Sequence, residues 1–338
     1  MKRFITVHID RFLKVLLPLL GGLILNTSCS SDLQVYRFTR FSMDTVVEYT
    51  LLAPDQATAL QAVNEAHRVV QHLDSLYWEE NPSSPIYQLN HADSSVQLPD
   101  SVYHFLKRVQ HYWQLSQGFF DPSIKPVLDL YNFEAPHPTP PDSLLVAKTL
   151  KYVGLGNFSL EANNRIRKNH PRNALALGGV AKGFIVDQAV SILKQFNIPG
   201  GIVNAGGDLK CWRNDEKYWQ IGIQHPRKSD VIAILKMKQG AIATSGDYQR
   251  FYIANGKRFH HLLNPFSGKP ATGSQSATVI APTCEAADAF ATATFVMGPH
   301  KGIEWLNNQP HYEGMIIDSL GKLHVSNGFE KWVMEINQ

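Results

Sequence analysis

KGFIVDQAVSILKQFNIPGGIVNAGGDLKCW, residues 182–212, holds both kinds of local structure that this chain uses. Residues 182–196 read as an amphipathic helix. Asn197-Ile198-Pro199-Gly200 stops it, because proline and glycine cannot continue the helical backbone cheaply. A strand at 201–205 then enters Gly206-Gly207, followed by Asp208, as a tight turn would. Downstream the pattern is mainly strands, at 217–224, 231–237, 241–244, 249–254, 258–263 and 275–281. Asn255-Gly256 predicts a type I′ hairpin turn between two of them, and a last hairpin centres on Gly321. Upstream, residues 32–52 suggest one or two strands. Asp55 stands as the N-cap of a helix with Ala59, Val63, Ala66, Val70 and Leu73 at helical spacing. Residues 79–99 read as loop. A helix from Asp100 to Gln117 places Val102, Phe105, Val109 and Trp113 on one face. A Pro-rich connector spans 137–142, a short helix 143–152, and ALAL at 174–177 is strand-like. The reading is α+β: mixed, mostly antiparallel sheets flanked by helices.

The chain has 338 residues, enough for two domains or one large domain with an insertion. Its net charge is +3, with both signs interspersed, so nothing electrostatic favours nucleic acid and no nucleic-acid partner is expected. Residues 1–29 are read apart from the fold. Lys2, Arg3, Arg11 and Lys14 precede an apolar run, Val15–Leu25, broken by Pro18, Gly21 and Gly22. That run is shorter than the ~20 residues a membrane span needs and suits a signal peptide. NTSC then ends at Cys29. This resembles a bacterial lipoprotein signal, with Asn26 where leucine is usual. It implies an exported protein, lipid-anchored through Cys29 on the periplasmic side of a bacterial membrane, with residues 30–338 as one domain; ordinary secretion and a retained anchor stay open. Cys211 and Cys284 have no metal-like spacing, and a pairing between them is left open.

Five segments offer chemistry. In EAADAFATATFVMG, 285–298, Asp288 and Thr292 stand one turn apart on a helix that is otherwise apolar. Two hard oxygens on one face suit Mg²⁺ or Ca²⁺, although a threonine bonding its own helix and an aspartate near a helix start need no metal. ALALGGVAKGFIVD, 174–187, runs through Gly178-Gly179 into a helix near Lys182. Glycines, a helix N-terminus and a lysine together welcome an anion, although the phosphate-loop pattern is absent. The other three are the Gly206-Gly207-Asp208 turn, a polar Ser245-Gly246-Asp247 turn between strands, and FHHLLNPFSGKPATG, 259–273. In the last, His260 and His261 are adjacent on a strand, so at most one faces a given site.

In order along the chain stand MDTVVEY, FDPSIKPVLDLY, LGGVAKGFIVD, VNAGGD, ATSGDYQRFY, HHLLNPFSGKP and AADAFATATFVMG. Together these resemble the ApbE family of FAD:protein FMN transferases over roughly residues 40–320. The resemblance implies helices and sheets around a central FAD cleft, with Mg²⁺ at the pyrophosphate. It implies transfer of the FMN half of FAD to a Thr or Ser hydroxyl of an acceptor protein, with release of AMP. The implied acceptor is a flavoprotein subunit with a short Asp-containing motif ending in Ala-Thr.

By the same resemblance the metal ligands are Gly179, Asp288 and Thr292, and His261 is the general base. The implied cofactor contacts are Met43, Trp78, Phe120, Asp121, Lys182, Asp187, Gly206, Gly207, Asp208, Ser245 and Leu262. Among them Asp187 is expected to order the site rather than react. Four places depart from the family pattern, the last at two residues. Ala176 replaces an aspartate, Asp44 a glycine and Asn264 an aspartate, while Trp78 and Glu80 replace a serine and a tyrosine. Two alternatives stay open: a FAD pyrophosphatase giving FMN and AMP, which needs the same metal and cleft, or, motivated by these departures, an exported lipoprotein that binds flavin without turnover.

Overall fold

The computed structural model describes residues 33–336, so the signal segment and Cys29 lie outside the described residues. The described chain opens with an antiparallel hairpin, β1 (Gln34–Ser42) and β2 (Thr45–Ala53). Met43 and Asp44 close it with φ of 56° and 53°, the doubly positive pair of a type I′ turn. Helix α1 (Gln56–Tyr77) starts at Asp55, whose carboxylate accepts the Thr58 N–H at 2.8 Å. Residues 79–99, expected as loop, hold α2 (Pro85–His91) and the short β3 (Ser95–Gln97). Ser84 caps α2 and Pro85 fills its first turn, so the residues that suggested loop are a helix start.

Helices α3 (Asp100–Leu115), α4 (Lys125–Tyr131) and α5 (Ser143–Thr149) follow. Strands β4 (Phe158–Glu161) and β5 (Arg165–Lys168) join β3 in a small sheet of order β3-β5-β4. ALAL belongs to no strand: Leu175 is held by the Asn90 side chain and Ala176 by the Pro122 carbonyl. Then come α6 (Ala181–Gln195), β6 (Gly200–Ala205), β7 (Asp208–Arg213), β8 (Trp219–Gln224), β9 (Val231–Met237) and β10 (Gly240–Gly246). Ser245 and Gly246 thus end a strand, and the turn begins at Asp247. Strands β11 (Phe251–Ala254) and β12 (Lys257–His260) form a two-stranded hairpin about Asn255 and Gly256, with φ of 50° and 72°. His260 is the last residue of β12, so His261 lies just beyond the strand.

The chain continues through β13 (Ser274–Ala281), α7 (Cys284–Met297) and α8 (Pro299–Asn307). It closes with β14 (Glu313–Asp318), β15 (Leu323–Val325) and β16 (Val333–Ile336). Every strand pairing among the described residues is antiparallel. The main sheet has eight strands in the order β1-β2-β6-β7-β10-β13-β14-β15. Helices α1, α6, α7 and α8 cover one face. A three-stranded sheet, β16-β9-β8, stacks on the other through Leu209, Cys211, Ile242, Ile280, Met315 and Phe329. Helix α7 is buried on nearly all sides because the sheet lies below it and other helices beside it, which explains its missing polar face. Among the described residues no helix is long and apolar enough to cross a membrane.

Candidate active site

The site grows from the contact between α6 and α7. A Cβ added to Gly183 would sit 2.2 Å from the Cys284 carbonyl oxygen and 2.9 Å from the Asp288 Cβ. Only glycine permits that approach. The closeness lets the Gly183 N–H donate to Asp288 Oδ2 at 3.1 Å. One turn on, Thr292 lies against the glycine-rich turn: a Cβ on Gly179 would be 3.1 Å from Thr292 Oγ1 and 3.6 Å from the Phe120 ring. Ser245, from β10, shares a hydrogen bond of 3.2 Å with the Thr292 hydroxyl. Asp288, Thr292, Gly179, Phe120 and Ser245 are therefore brought together.

Lys182 and Asp208 form the next layer. Lys182 Nζ meets Asp208 Oδ2 at 2.5 Å and the Gly178 carbonyl at 3.5 Å. Burial alone would lower the lysine, but Asp208 and Asp288 outweigh it and hold its pKa above the ordinary value. Two residues away on β7, Lys210 pairs with Asp187 of α6 at 2.6 Å. These two ion pairs balance each other and leave Asp288 as a buried carboxylate with one N–H donor. Its burial and the nearby Asp208 push it up to about 7, against the pull of Lys182 and Gly183. A buried carboxylate with surplus negative charge, a hydroxyl and a glycine-rich turn suit a hard divalent cation. Among the described residues no three His, Cys, Asp or Glu converge on a metal, so zinc-type ligation has no counterpart here.

Gly206 and Gly207 form the β6–β7 turn with φ of 63° and 105°. Gly206 packs on Thr45, beside the Met43–Asp44 turn, and the Met43 N–H donates to Asp74 at 2.7 Å. Trp78 ends α1 and is half exposed. His261 is half-buried. Its Nδ1 lies 3.3 Å from the Arg250 carbonyl oxygen, which only accepts, so Nδ1 carries the proton and Nε2 keeps its lone pair. Burial, helped by Arg250 and Lys182, lowers its pKa to about 3. The ring is therefore neutral across the physiological range. His260 is buried, with Nε2 on the Ala271 carbonyl, as opposite-facing neighbours require.

Three expected contacts engage protein groups instead. Asp121 is buried and accepts from the Trp113 indole, the Ser123 N–H and hydroxyl, and the Leu155 N–H. It borders a cavity of about 190 Å³ with Trp113, Gly154 and Phe266. Leu262 packs with Ala271, Ala277 and Phe295. Asp187 gives both oxygens to Lys210 and to the Cys284 and Glu285 N–H groups. Cys211 and Cys284 are free, buried thiols.

Gly183, Lys210, Asn90 and Lys168 escaped the sequence reading. Gly183 did leave a signal, because glycine inside a helix costs about 1 kcal/mol and so implies a packing reason. Lys168 is almost wholly buried and donates to the carbonyls of Asn90, Pro171 and Asn173 at 2.9–3.0 Å. With the Asn90 side chain on Leu175, it suspends the segment that enters the glycine turn.

Comparison with known proteins gives a consistent picture. The model of the ApbE family matches residues 43–316. An FAD:protein FMN transferase of Haemophilus influenzae is 28% identical over 294 residues, covering 82% of this chain and 85% of its own. One from Chlamydia trachomatis is 30% identical over 269 residues, covering 76% of this chain and 82% of its own. Among solved structures, the ApbE protein of Thermotoga maritima superposes with a TM-score of 0.84 at 29% identity, covering 89% of this chain and all of that one. The flavin transferase ApbE of Vibrio cholerae, at 22% identity and a TM-score of 0.77, covers 89% of this chain and 99% of its own and shares the fold.

Proposed function

Because the chain belongs to the ApbE family, we propose that it transfers the FMN half of FAD to a Thr or Ser hydroxyl of an acceptor protein. The carrying observation is the convergence of Asp288 and Thr292 with the Gly178–Gly183 segment, beside Lys182. The acceptor hydroxyl attacks the FMN phosphorus, the new P–O bond forms, and the bond to AMP breaks. His261 Nε2 takes the hydroxyl proton, and AMP leaves as the anion. Lys182 and the α6 N-terminus attract the diphosphate. Asp288, Thr292 and the Gly179 carbonyl would hold Mg²⁺, which when bound neutralises phosphate charge as a Lewis acid. Gly206, Gly207, Phe120 and Trp78 would border the dinucleotide.

The test is incubation of the protein with FAD, Mg²⁺ and a Thr-containing acceptor domain. A fluorescent flavin on the acceptor band, lost in Asp288→Ala, is the expected result. FMN and AMP released with no labelled band would instead mean hydrolysis, and FAD retained without turnover under any divalent ion would mean a binding protein. The same reading carries export and a lipid anchor on Cys29. Labelled fatty acid should enter the native chain and be absent from Cys29→Ala.

A further inference from the structure

We propose that Asp187 and Lys210 form a positioning clamp: they fix the register of α7 against α6 and so aim the Asp288 carboxylate at the glycine-rich turn. This rests on the reading of Asp288 as a cation ligand. Asp187 Oδ1 accepts the Cys284 N–H at 3.1 Å and Oδ2 the Glu285 N–H at 2.9 Å. The Thr283 hydroxyl takes the Ala286 N–H at 3.3 Å. A helix leaves its first N–H groups without partners of its own, and here a carboxylate from a different helix supplies two of the missing acceptors.

The second attachment lies one turn away on both helices. Gly183 is four residues before Asp187, and Asp288 is four residues after Cys284; they meet through the 3.1 Å Gly183–Asp288 hydrogen bond. The two rungs run antiparallel, so sliding α7 by one residue would break both. Lys210 holds Asp187 from β7 at 2.6 Å, and its side chain is mostly buried. The same strand holds Lys182 through Asp208, two residues earlier. Strand β7 thus grips α6 by two ion pairs of opposite sense, and α6 grips α7 by two rungs. Asp187 and Lys210 are positioning residues: they act on the cation only through Asp288.

Removing a partner that orients a metal ligand commonly weakens metal binding 10–100-fold. The experiment is Mn²⁺ titration of the whole protein, with ADP present, followed by the electron paramagnetic resonance signal of free Mn²⁺. Melting temperature is recorded alongside. Asp187→Asn and Lys210→Met should each raise the Mn²⁺ dissociation constant, by about 10–100-fold for the first, and Lys210→Arg should restore it. The reversed pair, Asp187→Lys with Lys210→Asp, should not restore it, because a lysine cannot accept the two α7 N–H groups. If Asp187→Asn fails to fold, the two Lys210 variants still decide.

Native Mn²⁺ affinity in a folded Lys210→Met overturns the clamp. So does tighter binding, which would make Lys210 a mere counter-charge. If the unaltered protein binds Mn²⁺ no better than Asp288→Ala, the cation reading itself falls and takes the clamp with it.

Discussion

His261 offers one reactive nitrogen because the Arg250 carbonyl holds the proton of the other. Replacing it with alanine should leave FAD affinity near its native value, since no phosphate or metal ligand is lost. Single-turnover AMP release should fall by about 10²–10⁴, the usual size of a general-base contribution. A near-native rate would reject the assignment. At this scale the sequence was informative where one side chain's type and spacing suffice: a carboxylate and a hydroxyl one turn apart on an apolar helix marked a candidate site, although an aspartate near a helix start and a threonine bonding its own helix explained the pair without a metal. It was silent about Lys210 and about the partners of Asp121. A surface lysine and a buried clamp lysine look alike until the strand's neighbour is known. An aspartate's hydrogen bonds depend on which loops fold back on it.

Between elements, the α6–α7 crossing should be the least forgiving contact. Gly183→Ala would ordinarily gain helix propensity of about 1 kcal/mol. Here the methyl group meets a backbone carbonyl at 2.2 Å, so the helices must part. A net loss of roughly 1–3 kcal/mol in denaturant unfolding is expected, together with weakened divalent-ion dependence; a stabilised variant would contradict the crossing. A second consequence concerns pH. Glu285, at the start of α7, is paired with Arg108 at 2.9 Å, yet burial lifts its pKa to about 7. An acid with a raised folded-state pKa adds stability at low pH and loses it as pH rises toward that value. The stability advantage of the native chain over Glu285→Gln should therefore shrink by ~1–3 kcal/mol between pH 4.5 and 7. Equal differences at both ends of a melting series would refute this. Helices with apolar stripes and caps were legible in advance. Helix α2 was not, because Pro and Ser serve both loops and helix starts, and nothing local separates them.

For the whole molecule, the eight-stranded sheet has two faces with different duties: α6 and α7 bring the site residues to one, and the three-stranded sheet closes the other. Phe329 is fully buried in that second layer. Phe329→Ala should cost about 3–5 kcal/mol of stability with little change in rate per folded molecule. A selective loss of activity at unchanged melting temperature would instead couple that layer to the cleft. The α+β class and the antiparallel bias were readable from hairpin turns and strand spacing. The strand order was not, because β6 pairs with β2 across more than a hundred residues and no local pattern records such a partner. In the segment at 174–178, side chains share the backbone's hydrogen bonding with the Pro122 carbonyl. The Leu175 amide hangs on Asn90, and Lys168 ties three carbonyls around it. Opening it breaks no ladder but lifts Leu175 and Leu177, both fully buried, out of the main core, so its deuterium uptake should be as slow as that of the core. The entrance to the glycine turn is then anchored from both sides, by core leucines and by one amide side chain, and Asn90→Ala should quicken exchange at Leu175 first.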